Sequence, residues 1–213
     1  MRLTQSELYE RQETIIHNAF TLFCKYGIEA VTLTEISKQS NVGRSAIFRY
    51  FESKDNLVLE AFIELWDTIM DDVKASVESV QGYPDLSGYE QIRLWIEHFR
   101  ILDTEHDDFL LFSYEAKMYF LRRGMTLNKV QQDAMMHAIR EPCIAALDKG
   151  KADGSITVKD SSEDLFYAVW GSIRGYLVKI VIYGRLYGTD SPWESRYHTL
   201  EHAILRSLCP DRE

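Results

Sequence analysis

Three side chains between residues 44 and 54 could read the sequence of a DNA duplex. At about 100° per residue, Ser45, Ala46 and Arg49 share one side of a short helix, opposite Ile47 and Phe51. A major groove admits a helix whose outward face is small and cationic, and arginine is the side chain best suited to a bidentate contact with a guanine edge. The pattern therefore predicts a helix that contacts base edges.

Other residues of the same segment could orient this helix on the duplex. Arg44, in the first turn, can reach a base or a phosphate, and Phe48 can touch a thymine methyl group. The hydroxyl of Tyr50 and the ammonium of Lys54 are predicted to meet backbone phosphates, which orient a protein without reading sequence. The alternative interpretation is that the two arginines only form a solvated surface.

A capped helix and a tight turn come before this segment and would position it. Thr32 and Glu35 have the spacing of a capping box, so a helix is predicted to begin there. Asn41 interrupts the helical pattern and tolerates the left-handed conformation that a helix-turn-helix corner needs. Thr32 and Thr34, at the start of the first helix, are further predicted DNA contacts.

At these residues the sequence resembles the TetR family of transcriptional regulators. The matching positions are Ala19, Phe20, Leu22, Phe23 and Gly27, followed by Thr32, Ile36, Val42, Ile47, Tyr50, Phe51, Ser53, Lys54 and Leu57. The sequence departs from the family pattern at three positions. Ser37 stands where alanine is usual, Asn41 where glycine is usual, and Gly43 where serine is usual.

The resemblance implies an all-α protein with two domains. A three-helix helix-turn-helix DNA-binding domain is expected at residues 1–54, and a larger helical domain for effector binding and dimerisation at residues 55–213. The protein would be a homodimeric regulator, which we predict to be a repressor released from a palindromic DNA operator by a small, largely apolar effector. A helical small-molecule-binding protein or an enzyme, without DNA binding, is the alternative.

Helical periodicity extends along the chain, and no segment has the alternation of a strand. It predicts helices at about residues 6–26, 57–79, 89–102, 107–122, 126–149, 161–187 and 192–208, besides the two short ones. Residues 81–88 form the clearest loop, and Pro142 is expected to kink the helix that contains it.

Small residues recur on one side of the predicted helix 161–187. Ala168, Gly171, Ser172 and Gly175 are spaced by three and four, so another helix could approach this face closely. The resemblance implies that helices 161–187 and 192–208 of two subunits form a four-helix dimer interface. The final helix offers Tyr197, Leu200, Ile204 and Leu208. The alternative is that the small face packs within one chain.

The middle helices carry more aromatic surface than an ordinary core requires. In the TetR family the second domain typically encloses an effector pocket, and our candidates for its walls are Trp95, Phe99, Tyr114, Met118, Met136, Trp170 and Arg174. The alternative is that these aromatics and methionines are plain core.

The sequence contains no motif that predicts catalysis, a cofactor or a metal. It has no glycine-rich phosphate loop, no His-Glu-x-x-His and no Gly-x-Ser-x-Gly elbow. His198 and His202 have the spacing of a chelating pair, but no third ligand is near, so an exposed histidine pair is the favoured interpretation. We expect a protein without cofactor that is not an enzyme.

Charge and cysteines indicate a cytoplasmic protein with an acidic body. The formal net charge is −9, and it belongs to residues 57–213, because residues 1–56 hold seven Lys/Arg and seven Asp/Glu. Three cysteines without a Cys-x-x-Cys pair argue for a reducing compartment. No signal sequence is seen, and Lys179 interrupts the most apolar run, so no membrane segment is expected.

Overall fold

The computed structural model describes residues 4–188 and 192–209, with the backbone alone at 129, 130, 132–135, 137 and 194. Within these ranges every regular element is helical, which confirms the all-α fold. The helices are α1 (Gln5–Tyr26), α2 (Leu33–Ser40), α3 (Arg44–Phe51), α4 (Lys54–Glu78), α5 (Gly88–His98), α6 (Ile101–Thr104), α7 (Asp107–Arg122), α8 (Lys129–Asp153), α9 (Ser162–Tyr187) and α10 (Trp193–Leu208).

Capping residues determine several helix ends. Helices α1, α2 and α5 each begin with a capping box, of which only the box of α2 had been predicted. There the N–H of Glu35 donates to the hydroxyl of Thr32 at 3.3 Å, and the N–H of Thr32 donates to the Glu35 carboxylate at 2.7 Å. Helix α1 ends at Gly27, whose φ of 82° lies in the region that favours glycine.

Helix α4 begins at Lys54, in agreement with the capped start that Ser53, Lys54 and Asp55 indicate in the sequence, and the hydroxyl of Ser53 accepts from the N–H of Asn56 at 3.0 Å. Two other predicted helices differ from the observed ones. The segment 89–102 is divided into α5 and α6, since its backbone bonds tighten locally, as from the N–H of Arg100 to the carbonyl of Glu97 at 3.2 Å. Helix α8 runs through Pro142 and continues to Asp153.

The chain divides into two compact units. The first comprises Met1–Trp66 and Asp108–Gln132, and the second comprises Asp67–Asp107 and Asp133–Glu213. The predicted domain boundary after residue 54 does not coincide with this division, because the first half of α4 and most of α7 pack with α1 in the first unit.

Aromatic side chains from α1, α4 and α7 form the core of the first unit. Phe112 of α7 stacks on Phe23 of α1, with ring centroids 5.9 Å apart. Phe62 of α4 lies 6.4 Å from Phe109 and 6.2 Å from Phe120 of α7. Aliphatic side chains complete this core: Ile15, Ala19, Ile28, Ile36, Ile47 and Leu57. Helix α7 is thus an integral part of the unit that contains α2 and α3.

In the second unit, α5 packs against both α8 and α10. A Cβ on Gly88 would lie 2.0 Å from the backbone nitrogen of Gly150, so only glycine permits this approach of α5 to α8. The N–H of Gly88 donates to the Asp153 carboxylate at 3.0 Å. On the other side, the hydroxyl of Tyr197 donates to the carbonyl of Ile96 at 3.0 Å.

One helix among the described residues, α9, is long and apolar enough to cross a membrane by length and composition alone. In its most apolar stretch 33% of the residues are buried within the chain. Lys179, which had been expected to interrupt this run, lies exposed on the helix. Core helices of soluble proteins meet the same criterion, so the observation is weak support for a membrane span.

Candidate nucleic-acid interface and effector site

The corner between α2 and α3 has helix-turn-helix geometry. Asn41 follows α2 with φ 51° and ψ 39°, the left-handed conformation that had been predicted. The hydroxyl of Ser37 donates to the carbonyl of Val42 at 2.6 Å, so this departure from the family pattern fastens the corner. Gly43 makes no side-chain cap for α3, whose start therefore depends on backbone bonds.

Helix α3 separates a buried face from an exposed one, as predicted. Ile47 is fully buried, and Phe51 is 4% exposed. The residues exposed on α3 and at the start of α2 are Thr32, Thr34, Arg44, Ser45, Phe48 and Arg49, and Ala46 is half-buried. This outward surface combines two guanidinium groups, small side chains and one aromatic ring. Such a surface can contact the base edges and the walls of a major groove.

Tyr50 is half-buried at the end of α3. Its hydroxyl oxygen is buried and has no hydrogen-bond partner within the part of the chain that the structure describes. The Arg49 guanidinium lies 5.3 Å from the centre of its ring, and Phe51 meets the ring edge-on at 6.3 Å. A phosphate contact by this hydroxyl therefore requires the side chain to move, whereas the ring already supports Arg49.

Lys54 has a partner that the sequence did not reveal. It is the first residue of α4 and is half-buried, and its ammonium donates to the carbonyl of Glu29 at 3.1 Å. Burial lowers the pKa of Lys54. Since an ammonium has three donors, the phosphate contact stays a prediction beside this structural bond.

Three of the predicted effector-site residues lie together in the second unit. The ring of Phe99 is 5.9 Å from Trp95 and 4.8 Å from Trp170, centroid to centroid. They line an apolar cavity of about 10 Å³, together with Ile92, Ile96, Cys143, Leu147, Phe166 and Val169. This volume is close to the room that one water molecule needs. A larger ligand could enter only if the rings moved apart.

The remaining candidates do not line this cavity. Tyr114 is 52% exposed and Met118 is half-buried, and both belong to α7 in the first unit. Met136 and Arg174 are half-buried residues of the second unit. Burial lowers the pKa of Arg174 to about 10, so this side chain is still charged at neutral pH. Counting aromatic residues along α7 did not distinguish its outward face from its inward one.

Sequence reasoning missed several residues of the cavity wall. Cys143 and Phe166 are examples, and burial raises the pKa of the Cys143 thiol, which stays protonated at neutral pH. A signal was present in the spacing, since Phe166 and Trp170 are one helical turn apart, as are Cys143 and Leu147. Apolar pairs of this kind are common in every helical core, so the signal could not have been separated from ordinary packing.

The histidine pair of α10 lies at the surface. His198 and His202 are both exposed, and Nδ1 of His198 is 3.4 Å from the Glu201 carboxylate. Across the described ranges, no group of three or more His, Cys, Asp or Glu side chains is placed to hold a metal ion. Cys24, Cys143 and Cys209, all within those ranges, carry reduced thiols.

Comparison with known proteins identifies relatives of this chain. The sequence model described as bacterial regulatory proteins of the tetR family matches residues 15–61, which include α2, the corner and α3. KstR2, an HTH-type transcriptional repressor of Mycolicibacterium smegmatis, is 24% identical over 81% of this chain and 82% of its own length. YerO, an uncharacterized HTH-type transcriptional regulator of Bacillus subtilis, is 26% identical over 83% of this chain. The match spans 58% of the length of YerO.

A solved structure shares the fold. FadR of Bacillus subtilis, a transcriptional regulator determined in complex with stearoyl-CoA, superposes with a TM-score of 0.65. The superposition covers 94% of this chain and 99% of that one, at 17% identity. At this identity the likeness shows the fold alone.

Proposed function

Since this chain belongs to the tetR family of bacterial regulatory proteins, we propose that it is a homodimeric repressor, released from a palindromic operator by a small, largely apolar effector. The observation that carries the proposal is the exposed face of α3, with Arg44 and Arg49, inside the segment that matches the family. The names of the relatives describe HTH-type transcriptional regulators or repressors. A helical small-molecule-binding protein or enzyme without DNA binding is the alternative.

In the proposed complex α3 lies in the major groove. Arg49 contacts a guanine edge, Ser45 and Ala46 allow the helix to approach the groove floor, and Phe48 meets a thymine methyl group. Phosphate contacts orient the helix on the duplex. Their proposed donors are Thr32, Thr34, Arg44, Tyr50 and Lys54. Thr32 and Thr34 are both exposed at the start of α2, which supports this role for them.

The proposed dimer uses the small face of α9. Ala168, Gly171, Ser172 and Gly175 are exposed. A Cβ added at Gly171 or Gly175 would meet no described atom of the chain within 4 Å. The packing within the described chain therefore does not require glycine at these positions, whereas a second helix crossing at short distance does. This observation favours the dimer over the alternative in which the small face packs within one chain.

Helix α10 contributes less to the proposed interface than its sequence pattern suggested. Tyr197 is 1% exposed and Leu208 is fully buried, so both pack into their own subunit. Leu200 and Ile204 are half-buried and are the apolar residues left for a partner. A two-fold dimer would present two copies of α3 to successive major grooves, about 34 to 36 Å apart, as a palindromic operator needs.

The proposed effector binds among the aromatic residues of the second unit. An apolar group would separate Phe99 from Trp170 and enlarge the cavity between them. The charged side chain of Arg174, one turn beyond Trp170, could pair with an acidic group of the same ligand. FadR, determined in complex with stearoyl-CoA, supports this combination, because that ligand has a long acyl chain and an anionic head. Because α4 contributes to both units, a ligand-dependent shift of α4 would lower operator affinity by changing the populations of two states.

Selection of DNA from a random pool by the purified protein tests the proposal. We expect enrichment of an inverted repeat whose half-sites are separated by about one helical turn or a multiple of it. Stearoyl-CoA and medium-chain fatty acids serve as first effector probes, and a probe that raises the melting temperature should also release the selected DNA. Failure to enrich any sequence at low salt would contradict DNA reading and favour the alternative.

A further inference from the structure

Helix α7 carries three polar side chains that recur every four residues and so lie on one face. Glu115, Tyr119 and Arg123 follow this spacing, with Arg123 just beyond the last turn. All three belong to the first compact unit, far along the chain from α2 and α3. Their contacts with two short segments on either side of the helix-turn-helix suggest a role in positioning it.

Glu115 holds the segment between α1 and α2. The N–H of Ile28 donates to Oε1 of Glu115 at 2.7 Å. Ile28 is fully buried and follows the end of α1, so its backbone N–H needs an acceptor that no helix supplies. The fit is close, since a Cβ on Gly27 would lie 3.3 Å from the same carboxylate oxygen. A half-buried carboxylate thus determines how the chain leaves α1.

Tyr119 holds the beginning of α4. Its ring is 1% exposed, and its hydroxyl donates to the carboxylate of Asp55 in the first turn of α4. Arg123 donates to the same hydroxyl oxygen at 3.2 Å and lies 3.8 Å from Asp55. Next to Asp55, the ammonium of Lys54 donates to the carbonyl of Glu29. The segment before α2 and the segment after α3 are therefore hydrogen-bonded to α7 and to each other.

We infer that Glu115 and Tyr119 are positioning residues for DNA reading. By bonding to the backbone of Ile28 and to the carboxylate of Asp55, they set the orientation of α2 and α3 within the first unit without touching DNA. Operator affinity then depends on two side chains of α7 that no helix-turn-helix motif includes. This inference rests on the proposed function, since it concerns how the same interface is held.

Four variants of the full chain test the inference. Tyr119→Phe removes one hydroxyl, Glu115→Ala removes the acceptor, and Glu115→Gln keeps an acceptor oxygen. Tyr114→Phe, which removes an exposed hydroxyl from the same helix, is the matched control. Affinity for the selected operator and for a scrambled duplex is measured by fluorescence anisotropy, with circular dichroism to verify folding at the assay temperature. Hydrogen exchange of the peptide containing Ile28 is measured in parallel.

We expect Tyr119→Phe and Glu115→Ala to weaken operator binding by about tenfold, the scale of one hydrogen bond to a charged group, with scrambled-duplex binding unchanged. Glu115→Gln should recover most of the loss, and Tyr114→Phe should match the wild type. In Glu115→Ala the Ile28 peptide should exchange faster while α2 and α3 keep their protection. A merely structural role would lower both affinities together through unfolding.

If the folded Tyr119→Phe and Glu115→Ala variants bind the operator with an affinity within about twofold of the wild type, the inference is overturned but the proposed function is not. Absence of any wild-type preference for a DNA sequence would overturn the proposed function, and the inference with it. The two failures are distinguished by the wild-type titration, which does not involve α7 variants.

Discussion

Arg49 and Lys54 carry the same charge in neighbouring parts of the chain but have different surroundings. The guanidinium of Arg49 is exposed on α3 beside the ring of Tyr50, where the helical period had placed it. The ammonium of Lys54 bonds to Glu29, a residue 25 positions earlier, and no local pattern could have revealed that contact. Single side chains on a short, regular helix were therefore predictable from sequence, whereas their long-range partners were not.

Replacement of Arg49 tests base reading by a single side chain. Arg49→Ala should weaken operator binding by about 1 to 3 kcal/mol, because a bidentate contact with a guanine is lost, and should change binding to scrambled DNA much less. Fluorescence anisotropy on both duplexes measures the two affinities. Arg93→Ala is the control, since Arg93 is an exposed arginine of α5 that pairs with Glu97 at 3.1 Å. Equal losses on both duplexes for Arg49→Ala would contradict the assignment.

Replacement of Lys54 separates its observed bond from its predicted one. Lys54→Ala should lower the free energy of unfolding by about 1 kcal/mol, because the carbonyl of Glu29 loses its donor. Urea unfolding measures this, with Lys38→Ala as an exposed lysine control in the same unit. An unchanged urea midpoint would refute the structural role. If the ammonium also binds phosphate, the dependence of operator affinity on salt becomes less steep by about 0.9 per contact.

The hydroxyl of Tyr119 should make stability depend on alkaline pH. Burial and the hydrogen bond to Asp55 raise the pKa of Tyr119 to about 12 from its ordinary value of 10. A raised pKa favours the folded state below pH 10, and this contribution is lost as the pH rises towards 12. The difference in unfolding free energy between wild type and Tyr119→Phe should therefore shrink above pH 10, as urea titrations at several pH values would measure. A constant difference up to pH 11 would count against the buried bond.

Helices were predictable where a capping signal or a clear period marked them. Helix α7 has the predicted limits, and α2 begins after the predicted cap. The division of α5 from α6 was missed, because Ile92, Trp95, Ile96, Phe99 and Leu102 keep the apolar period of one helix through the bend. The small face of α9 left two alternatives open from sequence, and only its exposure in the folded chain favours one of them. Periodicity identifies which residues share a face, but not what covers that face.

Enlarging the small face of α9 tests its role in assembly. Gly175→Trp should convert the dimer to a monomer, because the indole would prevent close approach of a second helix. Gly175→Ala is the matched control, and it should keep the dimer and stabilise the chain slightly, since alanine favours a helix more than glycine does. Sedimentation velocity measures the assembly state, and circular dichroism measures folding. A dimeric, folded Gly175→Trp protein would place the interface elsewhere.

The whole molecule combines a nearly neutral reading segment with an acidic remainder. The net charge of −9 was visible in the sequence, as was the charge balance of residues 1–56. That α7 and the first half of α4 belong to the same compact unit as α1 to α3 was not visible, because it depends on aromatic contacts such as Phe23 with Phe112 that join distant parts of the chain. An acidic body disfavours non-specific attachment to DNA, so affinity must come from few contacts, doubled by a dimer.

The most direct test of the central claim is the ratio of two dissociation constants, one for the selected operator and one for a scrambled duplex of equal length. Both are measured by fluorescence anisotropy on the wild-type protein at one salt concentration near the physiological value. If the protein reads sequence through α3, the operator should bind at least about a thousandfold more tightly. Equal affinity for the two duplexes would contradict the account.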